Sequence, residues 1–219
     1  MQIAVLGGTG DLGEGLVVRL APTGVDLTVG SRDPGRATDS AAAYEATLAE
    51  HGVDTSIGSA VNPAATVDAD VVIAAVPAYH LVETIESVAD ELGDAVLISP
   101  AVGMRHSDDG LQYNPPAAGS VTELAASAAP DDTPVVGAFH NLAAGRLADV
   151  DAELGWDVPV VGDDPAKATI LELLEPVEGL RGLDAGGLGH AAEIEALTPL
   201  LITLAEQNDG LADLGVRFV

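Results

Sequence analysis

Residues 1–36 read MQIAVLGGTGDLGEGLVVRLAPTGVDLTVGSRDPGR, and this stretch decides the fold. Gln2 to Leu6 is a short apolar run that reads as a buried strand. It breaks into Gly7-Gly8-Thr9-Gly10-Asp11-Leu12-Gly13, in which Gly8, Gly10 and Gly13 satisfy G-x-G-x-x-G. A helical pattern follows on Leu12, Leu16, Val17 and Leu20, and then a second strand, Asp26 to Val29. Strand, glycine turn, helix and strand in that order form the context in which this fingerprint binds a dinucleotide. Gly8 permits the tight turn and Gly10 lets the backbone approach a pyrophosphate. Gly13 lets helix and sheet pack closely, with the phosphates at the positive end of the helix.

The end of the second strand selects the nucleotide. An NAD site places a carboxylate about twenty residues past the fingerprint, where it accepts from the ribose hydroxyls. Here Gly30-Ser31-Arg32 stands at that place, followed by Arg36. A hydroxyl and two guanidinium groups suit a 2′-phosphate, which a carboxylate would repel. The whole chain has eight Lys and Arg, so two within five residues is a concentration. Asp33 opposes it, as a partner for Arg36 or Arg32. NADP is the expected nucleotide.

A chain of 219 residues allows one large domain, or one with a small appendage. Hydrophobic residues make up 47% and aromatics 3%, so the core must be built from Ala, Val, Leu and Ile. No apolar run reaches the roughly eighteen residues of a membrane span, and no signal peptide opens the chain. A cytoplasmic protein is expected. Thirty-five carboxylates against eight cations give a formal charge of −27, which makes nucleic acid and anionic membranes poor partners. The carboxylates are spread through periodic segments, as at Asp90-Glu91, Asp131-Asp132 and Asp163-Asp164. Self-repulsion on this scale disfavours the compact state unless salt screens it. At roughly 1 M salt the Debye length is about 3 Å. A halophilic protein of a salt-rich cytoplasm is the expectation. With no cysteine, disulfides, thiolate metal sites and cysteine nucleophiles are excluded.

Beyond Arg36 the pattern alternates. Ala37 to His51 reads as a helix, Asp54 to Gly58 as a short strand, and a short helix starts at Asn62-Pro63. Asp70 to Val76 (DVVIAAV) and Asp94 to Ser99 (DAVLIS) are unbroken apolar runs closed by Pro77 and Pro100, as parallel strands covered on both faces require. Between them Leu81, Ile85, Val88 and Leu92 mark a helix. Residues 101–119 (AVGMRHSDDGLQYNPPAAG) read as a long irregular loop carrying Arg105, His106 and Tyr113. A helix from Ser120 to Ala129 and a strand from Pro134 to Phe139 lead to His140-Asn141. The remainder gives a strand at Trp156–Gly162, a helix at about Pro165–Leu174, a strand at Leu180–Asp184 and a long apolar helix from Ala191 to Gln207. That last helix suits either core or a homodimer surface. The whole is an α/β chain, a Rossmann-type doubly wound parallel sheet over residues 1–140 with a smaller C-terminal α/β lobe over 141–219.

Several chemistries are eliminated. There is no Gly-Lys-Ser/Thr, so no P-loop, and no G-x-S-x-G or H-E-x-x-H. The single lysine, Lys167, has Asp163 four residues before it, which removes the Tyr-x-x-x-Lys dehydrogenases; it reads as part of a surface helix. Ligands of doubly wound folds sit at the carboxyl ends of the strands. Here those ends are Gly7–Gly13, Val76-Pro77-Ala78, Ser99-Pro100-Ala101 and His140-Asn141-Leu142. Tyr79 and His80 are candidates for the nicotinamide pocket. A shallow crevice without a lysine suits a flat partner stacked on the nicotinamide, because hydride transfer between stacked rings needs positioning and exclusion of water.

Gly7 to Gly13, Val29-Gly30-Ser31-Arg32, Ala138-Phe139-His140-Asn141-Leu142, Trp156-Asp157-Val158-Pro159-Val160, Leu183-Asp184-Ala185-Gly186 and the closing Asp213-Leu214-Gly215-Val216-Arg217-Phe218 together resemble the archaeal NADPH-dependent reductases of coenzyme F420. The likeness runs the length of the chain. It implies hydride transfer between nicotinamide C4 and C5 of the deazaflavin, with no metal. It implies NADP contacts at Thr9, Asp11, Leu12, Ser31, Arg32 and Arg36, beside the fingerprint glycines Gly8, Gly10 and Gly13 and the strand-end candidates Val76 and Pro77. It also implies deazaflavin contacts at His140, Leu142 and Leu214, and Ala144 is a further cofactor-binding candidate. Asp11 departs from the asparagine of the pattern, and Arg36 keeps the charge of a lysine. His140 is the candidate catalytic group, as an orienting or polarising hydrogen-bond donor, against a strand-end histidine satisfied by backbone. Asn141 and Arg146 are candidates for the anionic tail of F420, with Asp149 and Asp151 as rival partners for Arg146. The alternatives are another NADP-linked reductase, of imines or metal ions, and an NADP-binding redox sensor.

Overall fold

The computed structural model describes residues 1–108 and 110–219, so Asp109 of the 101–119 stretch lies outside the described residues. In chain order the elements are β1 (Gln2–Leu6), α1 (Asp11–Leu20), β2 (Asp26–Ser31), α2 (Pro34–Glu50), β3 (Ile57–Val61), α3 (Asn62–Thr66), β4 (Val71–Ala74), α4 (Ala78–Glu86), β5 (Val96–Ser99), β6 (Met104–Ser107), β7 (Gly110–Tyr113), α5 (Val121–Ala128), β8 (Val135–Gly137), α6 (Ala144–Ala148), β9 (Trp156–Gly162), α7 (Asp164–Leu174), β10 (Leu180–Asp184), α8 (Ala191–Glu195) and α9 (Leu197–Gln207).

Eight strands form one sheet in the order β10-β9-β8-β5-β4-β1-β2-β3. From β3 to β8 every pairing is parallel, and β9 runs antiparallel to β8. The strand order reverses between β1 and β4, which opens a crevice above their carboxyl ends. Strands β9 and β10 extend this sheet at its edge, so the C-terminal α/β elements share the first segment's hydrogen-bonded layer.

Both faces of the sheet are covered, and β1 shows how. Ile3 and Val5 point into a cluster with Leu16, Val17 and Leu20 of α1. Ala4 and Leu6 point into a second cluster with Leu81 and Ile85 of α4. The period-2 alternation of a strand thus feeds two cores, which is why its sequence reads as one unbroken apolar run.

Three expectations change. Residues 101–119 are not irregular throughout: β6 and β7 pair as an antiparallel hairpin, with Asn114 donating to the Gly103 carbonyl. The exposed Met104, Arg105 and His106 give no alternation to read. The long helix after Ala191 is broken into α8 and α9 by a turn at Ala196, because Pro199 has no N–H to donate back to the Glu195 carbonyl. Residues Leu188–Gln207 do have the length and composition of a membrane span, yet they contain that break and the wholly buried Glu195. Lys167 is not on the surface. It is 4% exposed and binds Asp184 at 2.6 Å and Asp164 at 3.1 Å.

Candidate functional site

The glycine loop is tight, but its left-handed turn falls on Gly7, one residue before the Gly8 to which the fingerprint assigns it. Gly7 has φ +73°, and a Cβ there would meet the Ala75 carbonyl oxygen at 2.6 Å. A Cβ on Gly13 would stand 2.6 Å from Gly8 Cα, so α1 lies directly on the loop. Gly10 differs: the nearest atom to its Cβ would be the Gly7 oxygen at 3.4 Å, an ordinary contact. The protein has room for a side chain at Gly10, and the space left open there faces a large cavity. Gly10 is the N-cap of α1 without any side-chain bond to the first-turn amides, which leaves them for an anion. Tyr44 of α2 pins the loop from behind, donating to the Gly8 carbonyl at 2.9 Å. Asp11 is exposed in the first turn, Thr9 and Leu12 are half-buried, and Gly8 is buried.

At the end of β2, Asp33 does not pair with either arginine. Its side chain caps α2, with Oδ1 accepting from the amides of Gly35 at 2.9 Å and Arg36 at 3.2 Å. Ser31 is 7% exposed and its hydroxyl oxygen accepts from the Asp33 amide. The apparent blemish is therefore a helix cap. Arg32 and Arg36 are exposed, and no ion pair with either is found among the described residues. Other cations are committed elsewhere. Arg19 donates to the carbonyls of Leu147, Arg146, Asp149 and Ala152, Arg181 pairs with Asp157, and Arg146 donates to the Glu153 carbonyl. Arg146 takes neither Asp149 nor Asp151.

The cavity beside the loop has a volume of about 800 Å³. Its walls include Gly10, Asp11 and Leu12, Val76 and Pro77, the hairpin's Met104, and His140, Leu142 and Ala144. A second cavity of about 500 Å³ is walled by Asn141, Leu142 and Ala144, by α9 and by Leu211 to Leu214. The two share Leu142, Ala144 and Thr198. Gly8, Thr9, Gly13, Ser31, Arg32 and Arg36 lie outside both walls; Ser31 ends β2, Arg32 follows it and Arg36 stands in the first turn of α2. Tyr79 stands 81% exposed at the rim, its ring 4.5 Å from that of His80. Arg19 and Gly15 hold α6 against α1, since a Cβ on Gly15 would come within 2.9 Å of Leu147. That contact fixes α6, which begins at Ala144, against the helix that follows the glycine loop.

His140 follows Phe139, a buried aromatic with φ +68°, a conformation rare for a bulky residue. The turn swings His140 beneath the crevice. The ring is 3% exposed, and its Nε2 lies 3.3 Å from the Thr122 hydroxyl. Thr122 donates its own proton to Glu195 Oε1 at 2.9 Å, so Nε2–H must be the donor to Thr122. Nδ1 is buried without a partner among the described residues. Burial pushes the imidazole pKa down to about 4, so the ring is neutral at physiological pH. Glu195 also accepts from Thr122 N, Val121 N and Tyr113 Oη, at 2.9, 3.0 and 2.9 Å, which fills the carboxylate and caps α5. Thr198 donates to the His140 carbonyl at 2.7 Å. Thr122, Glu195 and Thr198 escape a motif reading: Thr122 meets Glu195 across 73 residues, and the apolar stretch that carries Glu195 and Thr198 also holds Glu193 and Thr203, so neither singles itself out. Asn141 is 2% exposed and donates to the Asp157 carbonyl.

Comparison with known proteins places the chain in a family. Residues 2–103 match the family model described as NADP oxidoreductase coenzyme F420-dependent. The F420-dependent NADP reductase of Methanothermobacter marburgensis is 38% identical over 221 residues, covering 99% of this chain and 97% of that protein. The chain belongs to the F420-dependent NADP reductase family. The reductase of that name from Methanothermobacter thermautotrophicus is 37% identical over 212 residues, with 95% and 90% coverage. A crystal structure from Arthrobacter sp. FB24, described as a candidate F420-dependent NADP-reductase, superposes with a TM-score of 0.81 at 25% identity, covering 100% of this chain and 99% of that one. The fold of this reductase family is thus the α/β, Rossmann-type sheet seen here.

Proposed function

We propose that this enzyme is an oxidoreductase transferring a hydride between NADP(H) and the deazaflavin coenzyme F420, with the two cofactors meeting where the two cavities share Leu142, Ala144 and Thr198. That shared wall carries the reading. NADP would lie along the glycine loop, its pyrophosphate on the amides at Gly10 to Leu12 and its 2′-phosphate at Ser31, Arg32 and Arg36. Val76 and Pro77 would bound the nicotinamide. The deazaflavin would occupy the smaller cavity against Leu142, Ala144 and Leu214. When bound, the two cofactors supply all the redox chemistry. The chain's residues position the rings and exclude water, and the neutral His140, held by Thr122, forms a fixed wall of the larger cavity.

The assay mixes purified protein with NADPH and oxidised F420 in molar KCl and follows the visible absorbance of F420. Loss of absorbance requiring both protein and NADPH is expected; no loss would remove the proposal. The carboxylate-rich composition supports a salt-rich cytoplasm as its setting, which melting temperature against KCl tests: a flat profile contradicts it. The half-exposed Leu200 and Leu204 on α9 support a homodimer, tested by sedimentation in molar salt.

A further inference from the structure

The C-terminal tail, residues 208–219, has no regular structure, yet it supplies Leu211 to Leu214 to the smaller cavity. Something must hold it, because an unpaired terminal segment is poorly ordered. The structure shows what does. Asp157 on β9 has a side chain only 2% exposed, and Arg181 on β10 binds it with two parallel bonds, Nε to Oδ1 and Nη2 to Oδ2, each 2.7 Å. The same two residues grip the tail. Asp157 Oδ2 accepts from the Phe218 amide at 2.6 Å, and Arg181 Nη2 donates to the Phe218 carbonyl at 2.7 Å. The Asp157 amide donates to the Val216 carbonyl at 2.7 Å. Gly215 lies against the indole of Trp156, so closely that a Cβ there would overlap the ring.

We propose that Asp157 and Arg181 are positioning residues whose ion pair clamps the tail onto the edge of the sheet, placing Leu214 in the smaller cavity and thereby setting affinity for the second cofactor. Neither residue lines either main cavity, so each acts through the tail. The hydrogen bonds from Arg181 hold the Asp157 carboxyl below its ordinary range, so the pair stays charged at neutral pH. The inference rests on the assignment of the smaller cavity to F420.

Trp156 is the single tryptophan of the chain, so its emission reports the tail's position without any cofactor. The test compares Arg181→Ala, Arg181→Lys and Gly215→Ala with the parent enzyme. Gly215→Ala displaces the tail while leaving the ion pair intact, and so guards against Arg181→Ala failing to fold. In Arg181→Ala and Gly215→Ala, Trp156 emission should shift to the red. KM for F420 should rise at least about tenfold while KM for NADPH stays within about twofold. Arg181→Lys, which keeps charge without the fork, should fall between parent and alanine variant. An unshifted Trp156 emission in Gly215→Ala would overturn the clamp. So would a shifted emission with unchanged KM for F420, or an equal rise in both KM values. A parent enzyme inactive toward F420 would sink the functional reading by itself, with Trp156 emission still judging the clamp.

Discussion

The two ends of the crevice are built in different ways. On the side proposed for the nucleotide, the loop from Gly7 to Gly13 and the Ser31–Arg36 segment lie within thirty residues of each other and are shaped by local backbone constraints: a positive φ at Gly7, close packing at Gly13 and a cap at Asp33. On the other side, His140 is fixed by Thr122, Glu195 and Thr198, and the tail by Asp157 and Arg181, through contacts spanning 18 to 73 residues. Local constraints leave a spacing in the sequence. Distant ones leave isolated polar residues in apolar surroundings.

The strongest way to break this contrast is Glu195→Ala. It strands four buried or half-buried donors, and unsatisfied groups cost about 1–3 kcal/mol each before relaxation. A loss of roughly 3 kcal/mol or more is expected in KCl-supported denaturation, and a loss under 1 kcal/mol would show that the distant network is not structural. Close in size is the pH dependence of His140. Its pKa is lowered in the folded state from 6.5 to about 4, so its contribution is fully present above pH 6.5 and is lost as pH falls through about 4. The difference is on the order of 3 kcal/mol. His140→Gln should remove that slope, and its persistence would assign the slope to other groups. Turnover should show no titration near the ordinary histidine range.

On the local side, Arg32→Ala or Arg36→Ala should raise KM for NADPH about ten- to a hundredfold, since charge-assisted bonds are worth about 1.5–3 kcal/mol. NADH kinetics should barely move; equal effects on both nucleotides would refute the 2′-phosphate assignment. The smallest effect on stability is expected at Gly10→Ala, within about 1 kcal/mol, because the protein leaves room for the methyl group. NADPH affinity should nevertheless fall. An unchanged affinity would mean that the space at Gly10 is not the pyrophosphate's.

What was legible in the sequence follows the same division. The strands β1, β4 and β5, the fingerprint and the cations at β2 could be read because burial on both faces and tight turns dictate residue types directly. The family resemblance supplied His140, Leu142 and Leu214 as expectations. The hairpin β6–β7 was missed because its exposed side chains carry no alternation. Lys167 was misplaced because its partners, Asp164 and Asp184, come together only when α7 packs on β10. Asp33 reads in sequence as a rival for Arg32 because a capping bond to the amides of Gly35 and Arg36 leaves no mark in residue type alone.

Cofactors that meet at the wall shared by Leu142, Ala144 and Thr198 would pass hydride directly from one ring to the other. NADPH carrying deuterium on the transferred C4 position, incubated with the enzyme and oxidised F420 in ordinary water, tests it. Deuterium retained at C5 of the reduced deazaflavin is the predicted result. Reduced F420 that has lost the label to solvent would contradict direct transfer and the shared cavity with it.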